Sequence, residues 1–448
     1  MKCIEEELPF DLPEGWAWER LSNLASFSGG KTPSTSCSEY WNGDTLWVTS
    51  KDMKSKYITS SQLRLSALGT EQMQMYQPDT LLLVTRSGIL RHTLPVAILK
   101  ESATINQDLK AIILYMPQLA EYIYVCLKGM EAQLLLKYAK SGTTVENVNF
   151  DEFQKVLLPI PPAQQIDRII SATSDAERVV STIEDDKAAL ADYIAKAKAK
   201  ILDLAIRGQL VSQDPADEPA PVLLERIRAE KEELIKQGKL KRDKKESVIF
   251  RGEDNSYYLR TGDLVESLED WAFEELPDSW GICCLGELCD YGNCLNVDTE
   301  SISDSAWILD LEDIEKDSGV VLRKVRKSER NAASTKHFFH RGQVLYSKLR
   351  PYLNKVVLSD EDGYCTSEIL PLEFERNVLP QYARYYLMSP VFLEYANKCS
   401  YGVKMPRLGT VDGKKSIISI PPIEEQKRIV LAIEQAFTQL AAITQNLL

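Results

Sequence analysis

Two stretches of the chain carry apolar residues at alternating steps of three and four. In the first, Ile166, Ile169, Ala176, Val180, Ile183, Leu190, Ile194, Ala197, Ile201 and Leu204 fill ten of the twelve positions of one series; Thr173 and Lys187 fill the other two. Sustained beyond five heptads, that spacing predicts a coiled-coil seam. The second stretch repeats the register at Ile429, Ile433, Ala436, Leu440, Ile443 and Leu447. Each opens on Ile-Pro-Pro, at 160–162 and 420–422. Proline suits a helix start, because the first turn has no use for its missing N–H. Gly208 is a natural stop. At 1.5 Å per residue the first helix would run roughly 60 Å and the second little more than half of that. The two are expected to pack antiparallel, with a globular domain near each end.

Upstream of each helix the pattern is mixed. Short apolar runs at 80–85 and 343–347 read as strands, while 119–138 and 380–397 read as helices. The phrase LPEGW at 12–16 recurs as LPDSW at 276–280, and the Ile-Pro-Pro phrases lie 260 residues apart. A two-copy repeat of this size is a duplicated domain, not a solenoid. The expected fold class is α+β: two similar mixed α/β domains, 1–158 and 271–418, joined by long antiparallel coiled-coil helices with a pseudo-two-fold relation. The helices would occupy 159–210 and 419–448. Between them, 211–270 reads as a polar connector: a Pro/Asp linker at 213–221, an amphipathic helix at 222–236 and the basic run KQGKLKRDKK at 236–245.

Length, 448 residues, predicts more than one domain, and 44% hydrophobic content is enough for real cores. A net charge of −13 argues mildly against a nucleic-acid partner, but its distribution is uneven. Residues 321–355 carry ten Lys or Arg and one acid, Glu329, with His, Phe and Tyr interleaved. Phosphate contact depends on the local field, although most basic runs are simply solvated faces. Nine scattered cysteines without a CxxC pair point to reduced thiols and a cytoplasmic setting. No signal-peptide core and no apolar run of membrane-span length is present in the sequence.

An enzyme needs a site, and the sequence offers only imitations of one. Residues 25–32, ASFSGGKT, approach the phosphate-loop pattern, but Ala25 replaces its first glycine and no clear strand precedes it. Lys31 and Thr32 equally suit an exposed loop reaching a phosphate or a base edge. Cys283, Cys284, Cys289 and Cys294, with His337 and His340 downstream, lack the paired spacing of a zinc site, so buried apolar cysteines and no metal are expected. His92 is isolated. There is no nucleophile elbow, dinucleotide fingerprint or Asn/Asp-Pro-Pro-aromatic tetrapeptide.

The order of the repeated phrases closely resembles the specificity subunit of type I restriction–modification systems. The resemblance is carried by LPEGW, SGGKTPS at 28–34, TLWVTSKDM at 45–53, LPIPPAQQIDRI at 158–169 and LDLAIRGQLVSQDPADEPAP at 202–221. It continues in LPDSW, GQVLYSKLRPYLNKV at 342–356 and ISIPPIEEQKRI at 418–429. It implies a non-catalytic chain in which each domain reads one half of a bipartite double-stranded DNA site. The helices would set the gap and dock two methyltransferase subunits. S-adenosylmethionine would belong to those subunits, ATP and Mg²⁺ to a motor–nuclease subunit, and no cofactor to this chain; no membrane is involved. Candidate DNA contacts are Lys31, Thr32, Ser34, Lys51, Arg86, Ser87 and Arg91 in the first domain. In the second they are Lys336, Lys348, Arg350, Tyr352, Lys355, Lys404 and Arg407. Lys and Arg would anchor phosphates; Arg, Ser and Thr would read base edges. The resemblance also implies a second helix about as long as the first. With the sequence stopping at Leu448, residues 190–204 are expected to turn to the connector helix, a partner subunit or a second copy. Two other readings compete: a protein-binding scaffold with two globular arms, and a nucleotide hydrolase built on Lys31.

Overall fold

The computed structural model describes residues 8–140, 145–238, 247–252, 254, 256–268, 276–330 and 334–446. The chain divides into two compact units, residues 1–185 and 186–448.

In the first unit the strand Ala17–Arg20, just after LPEGW, pairs antiparallel with Leu157–Ile160, just before the two prolines; Ala17 faces Ile160. Within that closure lies a five-stranded sheet in the order 25–29, 109–114, 81–84, 96–99, 57–58. A parallel pair, 46–48 beside 103–105, belongs to a second, three-stranded sheet. Leu81, Leu82, Leu83 and Val84 are all buried, since one face of their strand meets each of two apolar clusters. Helix α1 (Ala120–Gly129) buries Ala120, Ile123, Cys126 and Leu127, the one-sided stripe that a 3.6-residue period produces. Helix α2 (Glu131–Tyr138) follows after Met130. The helices predicted at 119–138 are therefore two.

The second unit repeats this plan about 260 positions later. Gly281–Cys284 pairs antiparallel with Ile417–Ile420, and Gly281 faces Ile420. Residues 344–347 pair with 369–372 and 356–358. Residues 307–309 run parallel to 363–365. Helices α1 and α2 have counterparts in Pro380–Leu387 and Pro390–Lys398.

The repeated phrases turn out to be the two sides of one joint. Trp16 Nε1 donates to Gln165 Oε1 at 3.1 Å, and Trp280 Nε1 donates to Glu425 Oε1 at 3.1 Å. The Tyr122 hydroxyl donates to the Pro159 carbonyl at 2.6 Å, as Tyr382 does to Ser419 at 2.8 Å. In both units the tryptophan of LPxxW thus grips the first turn of the helix that Ile-Pro-Pro begins. The acceptors differ: Glu425 is completely buried, and burial holds its carboxyl above the ordinary range against the bonds from Gln213 and Trp280.

Helix α3 (Ala163–Ile206) starts in the first unit and ends in the second. Gly208 stops it with φ +69°, while the Gln209 amide donates back to Leu204. Ile166 and Ile169 pack on the first unit's core. In the second unit Ile194 is buried, and Ile201, Leu202, Ala205 and Ile206 join a core with the connector helix α4 (Ala220–Lys236) and with Ile429 and Ile433. Those last two belong to the final helix, Ile423–Gln445, in which Leu440 is half-buried and Ile443 exposed. Ser419 Oγ donates to Ile206 O, and Lys198 lies over the Phe437 ring, so the two helices run antiparallel there. Of the three surfaces expected to cover residues 190–204, the second unit supplies the connector helix, against which Ile201 and Leu202 pack. One expectation is corrected: the seam is exposed earlier in the helix, at Val179, Val180 and Ile183, each more than half exposed, while Leu190 is half-buried. The buried face also departs from the predicted seam toward Leu202, Ala205 and Ile206, because a straight helix drifts about 20° per heptad from a 3.5-residue repeat.

The connector is not merely polar. Residues 247–251, 257–261 and 264–267 form a three-stranded antiparallel meander. Its Ile249, Leu259 and Leu268 cluster with Ile282, Cys284 and Ile417. Most of the basic run 236–245 lies outside the described residues. Among the described residues, no helix is long and apolar enough to cross a membrane.

Candidate nucleic-acid interface

In the first unit three loops converge on one tight turn, residues 105–108. The Lys31 amide donates to the Ile105 carbonyl at 3.0 Å. The Asn106 amide donates to Val48, one residue before the Thr49 turn that carries Lys51, and the Thr85 amide donates to Asp108 at 2.8 Å. Gly30 makes the first approach possible, since a Cβ there would stand 2.1 Å from the Ile105 oxygen. Two indoles then hold the loop. Trp47 Nε1 donates to the Lys31 carbonyl and Trp41 Nε1 to the Ser34 carbonyl, each at 3.2 Å, with the rings edge to face at 5.0 Å. Lys31, Thr32 and Ser34 stay exposed on this pinned backbone, as do Lys51 and Arg86. Thr32 bonds Gln107, an exposed side chain at the centre of the convergence that no motif marked. Arg86 bridges to Asn147, and the Ser87 amide donates to Glu146. Arg91 is paired with Glu146 and holds that carboxyl below the ordinary range.

The second unit builds the same frame with other side chains. Where Thr85 N meets Asp108 O, Lys348 N meets Glu368 O; where Ser87 N meets Glu146 O, Arg350 N meets Pro406 O; where Val148 N meets Thr85 O, Leu408 N meets Lys348 O. The Arg86–Asn147 bridge is matched by Leu349–Arg407. The acceptors Asp108 and Glu368, and Glu146 and Pro406, are each 260 positions apart, as are Val148 and Leu408. These contacts run through backbone, so the presented side chains are free to differ. Thr85, Arg86 and Ser87 stand in one unit where Lys348, Leu349 and Arg350 stand in the other. Arg350 adopts a left-handed φ of +50°, uncommon for a side-chain-bearing residue and a mark of local strain. Tyr352 and Lys404 are exposed beside it in sequence and frame.

Most of the basic window proves to be neutralised from within. Arg323 and Arg330 bind Asp313 and Glu312. Lys324 and Arg326 bind Glu361, with Asp360 also on Lys324, and Lys327 binds Asp304. Lys336 is corrected as a DNA contact: it is buried, with its ammonium 3.6 Å from Asp310. Lys355 is corrected likewise. It donates to the Leu311 carbonyl at 2.6 Å, and burial lowers its pKa. Arg407 spends its fork on Glu368, at 2.7–3.1 Å. Of the window's cations, Arg341, Lys348, Arg350 and Lys355 have no ion pair among the described residues, and Lys355 is already held by the Leu311 carbonyl.

The two imitation sites resolve differently. Residues 25–29 are a β-strand paired to 110–114, and no α-helix opens at Lys31–Thr32, so the backbone does not wrap as a phosphate loop. A helical turn, Leu21–Leu24, and not a strand, leads into Ala25, and the strand lies within the motif itself. Cys283, Cys284 and Cys289 are buried in apolar clusters, and burial raises their thiol pKa values. His337 bonds the Ile369 carbonyl inside the sheet.

Comparison with known proteins agrees with this frame. The profile of the type I restriction modification DNA specificity domain matches residues 13–187 and 277–448, which is to say both copies of the repeat. The EcoAI specificity subunit of Escherichia coli is 29% identical over 262 residues, 57% of this chain and 40% of that protein. The EcoR124I/EcoR124II specificity subunit of Escherichia coli is 28% identical over 171 residues, 38% of this chain and 42% of that protein. The chain thus spans about two fifths of the length of these curated relatives. A chain from a solved structure concerned with complex assembly and conformational transition of the type I R-M system superposes with a TM-score of 0.58 at 15% identity, covering 98% of this chain and 94% of that one, which shows a shared fold. With both halves matched, this chain belongs to the type I restriction modification DNA specificity domain family.

Proposed function

We propose that the chain is the non-catalytic, sequence-reading subunit of a type I restriction–modification complex, each domain reading one half of a bipartite DNA site. One observation carries the reading: the same backbone frame occurs twice, with different exposed polar side chains on it. Phosphate contacts position a protein on the duplex, and base-edge contacts specify it. A frame bonded through its own main chain keeps its shape while the reading residues change. Lys31, Thr32, Ser34, Lys51, Arg86 and Ser87 would face one half-site; Lys348, Arg350, Tyr352 and Lys404 would face the other. The continuous helix Ala163–Ile206 and the final helix Ile423–Gln445 would form the spacer that sets the gap. Two methyltransferase subunits carrying S-adenosylmethionine would dock on it, and a motor–nuclease subunit using ATP and Mg²⁺ would complete the assembly in the cytoplasm.

The test is methylation-sensitive sequencing of DNA modified by the assembled methyltransferase. Exchanging residues 1–155 for another such domain should change one half-site and leave the other and the gap intact. Lys348→Glu with Arg350→Glu should weaken binding and lower its salt dependence, since each lost phosphate contact removes about 0.9 from the log–log slope. A modified sequence that ignores both changes refutes the assignment.

A further inference from the structure

Residues 401–407 form a closed hairpin beside Lys348 and Arg350. The Tyr401 amide donates to the Arg407 carbonyl at 3.1 Å, and the Arg407 amide returns a bond to Tyr401 at 2.9 Å. Gly402 makes the turn with φ +99°. The base of the hairpin is fixed three ways. Arg407 forks onto Glu368, Arg350 N donates to Pro406 O at 2.7 Å, and Leu408 N donates to Lys348 O at 3.0 Å. The tip is apolar and bare: Val403 is fully exposed, and Tyr401 and Met405 are 62% and 46% exposed. Single exposed apolar residues need no account. Three of them within five positions, on a braced hairpin with Lys404 at its tip and two unpaired cations at its base, do.

We propose that this hairpin is the base-reading finger of the second domain, with Val403 and Met405 against an apolar base edge in a DNA groove and Lys404 on the adjoining phosphate. This rests on the reading of the chain as a DNA-binding subunit. The charge is complementary to two phosphate rails, and an apolar tip between them suits the one apolar group that base pairs expose in the major groove, the thymine methyl. Arg407, counted above among candidate contacts, becomes a positioning residue whose guanidinium holds the hairpin to Glu368. The sequence 260 positions earlier, Ser141 to Asn147, reads SGTTVEN against YGVKMPR. It keeps the glycine and the length, and places two threonines where Val403 and Lys404 stand. That likeness is one of sequence: residues 141–144 lie outside the described residues, and different residues at matching positions are what two different half-sites require.

The experiment uses the full chain assembled with its methyltransferase subunits and a duplex library randomised over both half-sites. Val403→Ser with Met405→Ser should flatten the preference at one or two base pairs of the second half-site by roughly five- to tenfold, and leave the first unchanged. Lys404→Ala should weaken all sequences alike and lower the salt slope by about 1. Arg407→Lys keeps the charge but loses the fork; it should lose discrimination at the same base pairs while keeping non-specific affinity. An unchanged profile in the serine variant, with Lys348→Glu/Arg350→Glu still weakening binding, overturns the finger and leaves DNA reading standing. If neither set affects DNA binding, the functional reading itself falls.

Discussion

Arg330 lies in the window richest in cations, and its replacement should cost stability and spare DNA binding. Its guanidinium is one tenth exposed and bonds both oxygens of Asp313, at 2.7 and 2.8 Å, and Asp310 at 2.8 Å. Asp313 is completely buried. Burial opposes its ionisation, yet bonds from Arg330, the Asp310 amide and Arg323 outweigh that and hold its carboxyl below the ordinary 3.8. Breaking a buried pair from one side costs about 3–5 kcal/mol, because the other charge is stranded. Arg323 still reaches Asp313 at 2.8 Å, so Arg330→Met should fall at the lower end, about 3 kcal/mol. With a urea slope of about 2 kcal/mol/M, the second unit's midpoint should drop by roughly 1.5 M at neutral pH. The pH dependence has a definite sign. A carboxyl with a depressed folded pKa stabilises above its unfolded value and loses that contribution as pH falls through the folded one. The gap between wild type and variant should therefore be full at pH 7 and shrink below about pH 4. Affinity of the folded variant for DNA should stay within about twofold. A loss below about 1 kcal/mol together with weakened DNA binding would show Arg330 facing the duplex, and the internal-neutralisation argument would be wrong.

Three further outcomes follow from the geometry. Trp280→Phe removes a donor from a buried carboxylate and should cost about 2–3 kcal/mol, whereas Trp16→Phe, which loses a bond to the neutral Gln165, should cost about 1 kcal/mol; denaturant melts of the two variants compare them. Ile433→Ala should cost about 2–5 kcal/mol and Val180→Ala less than about 0.5 kcal/mol in the isolated chain, since the first side chain is buried and the second exposed; equal losses by thermal melting would contradict the packing. Gly30→Ala must move the Lys31–Thr32 loop off residue 105 and should lower first-half-site affinity without touching the second, as read by binding to singly mutated duplexes.

The joint was legible because its parts are written as phrases: LPxxW and Ile-Pro-Pro are short, rare in combination and repeated at nearly constant spacing, and the fold brings each pair together. Strands such as 81–84 and helices such as 120–129 were legible because apolar periodicity is local. What failed was non-local. The acids that neutralise 323–336 come from 304, 310–313 and 360–361, so a charge count within the window could not see them. The meander at 247–267 was hidden in a stretch judged by its polarity, although 247–250 alternates buried and exposed positions.

The reading surface was half legible for a physical reason. Lys31, Thr32 and Arg86 were found as polar residues at strand ends, but nothing in a residue type says that Gln107 stands among them or that Lys336 points inward. That information lies in the backbone bonds of the frame, which any side chain satisfies. Hence the two copies share the frame and scarcely share the residues it presents, and similarity between them survives at the joint and fades at the loops. A protein that must keep one shape while changing what it reads has to place its constraints in main-chain hydrogen bonds. The loops would then be the worst place to look for resemblance between the halves. The nearly constant offset, 260 at Asp108, Glu146 and Val148 and 263 at Thr85 and Ser87, is the signal that a comparison of loop side chains could not supply.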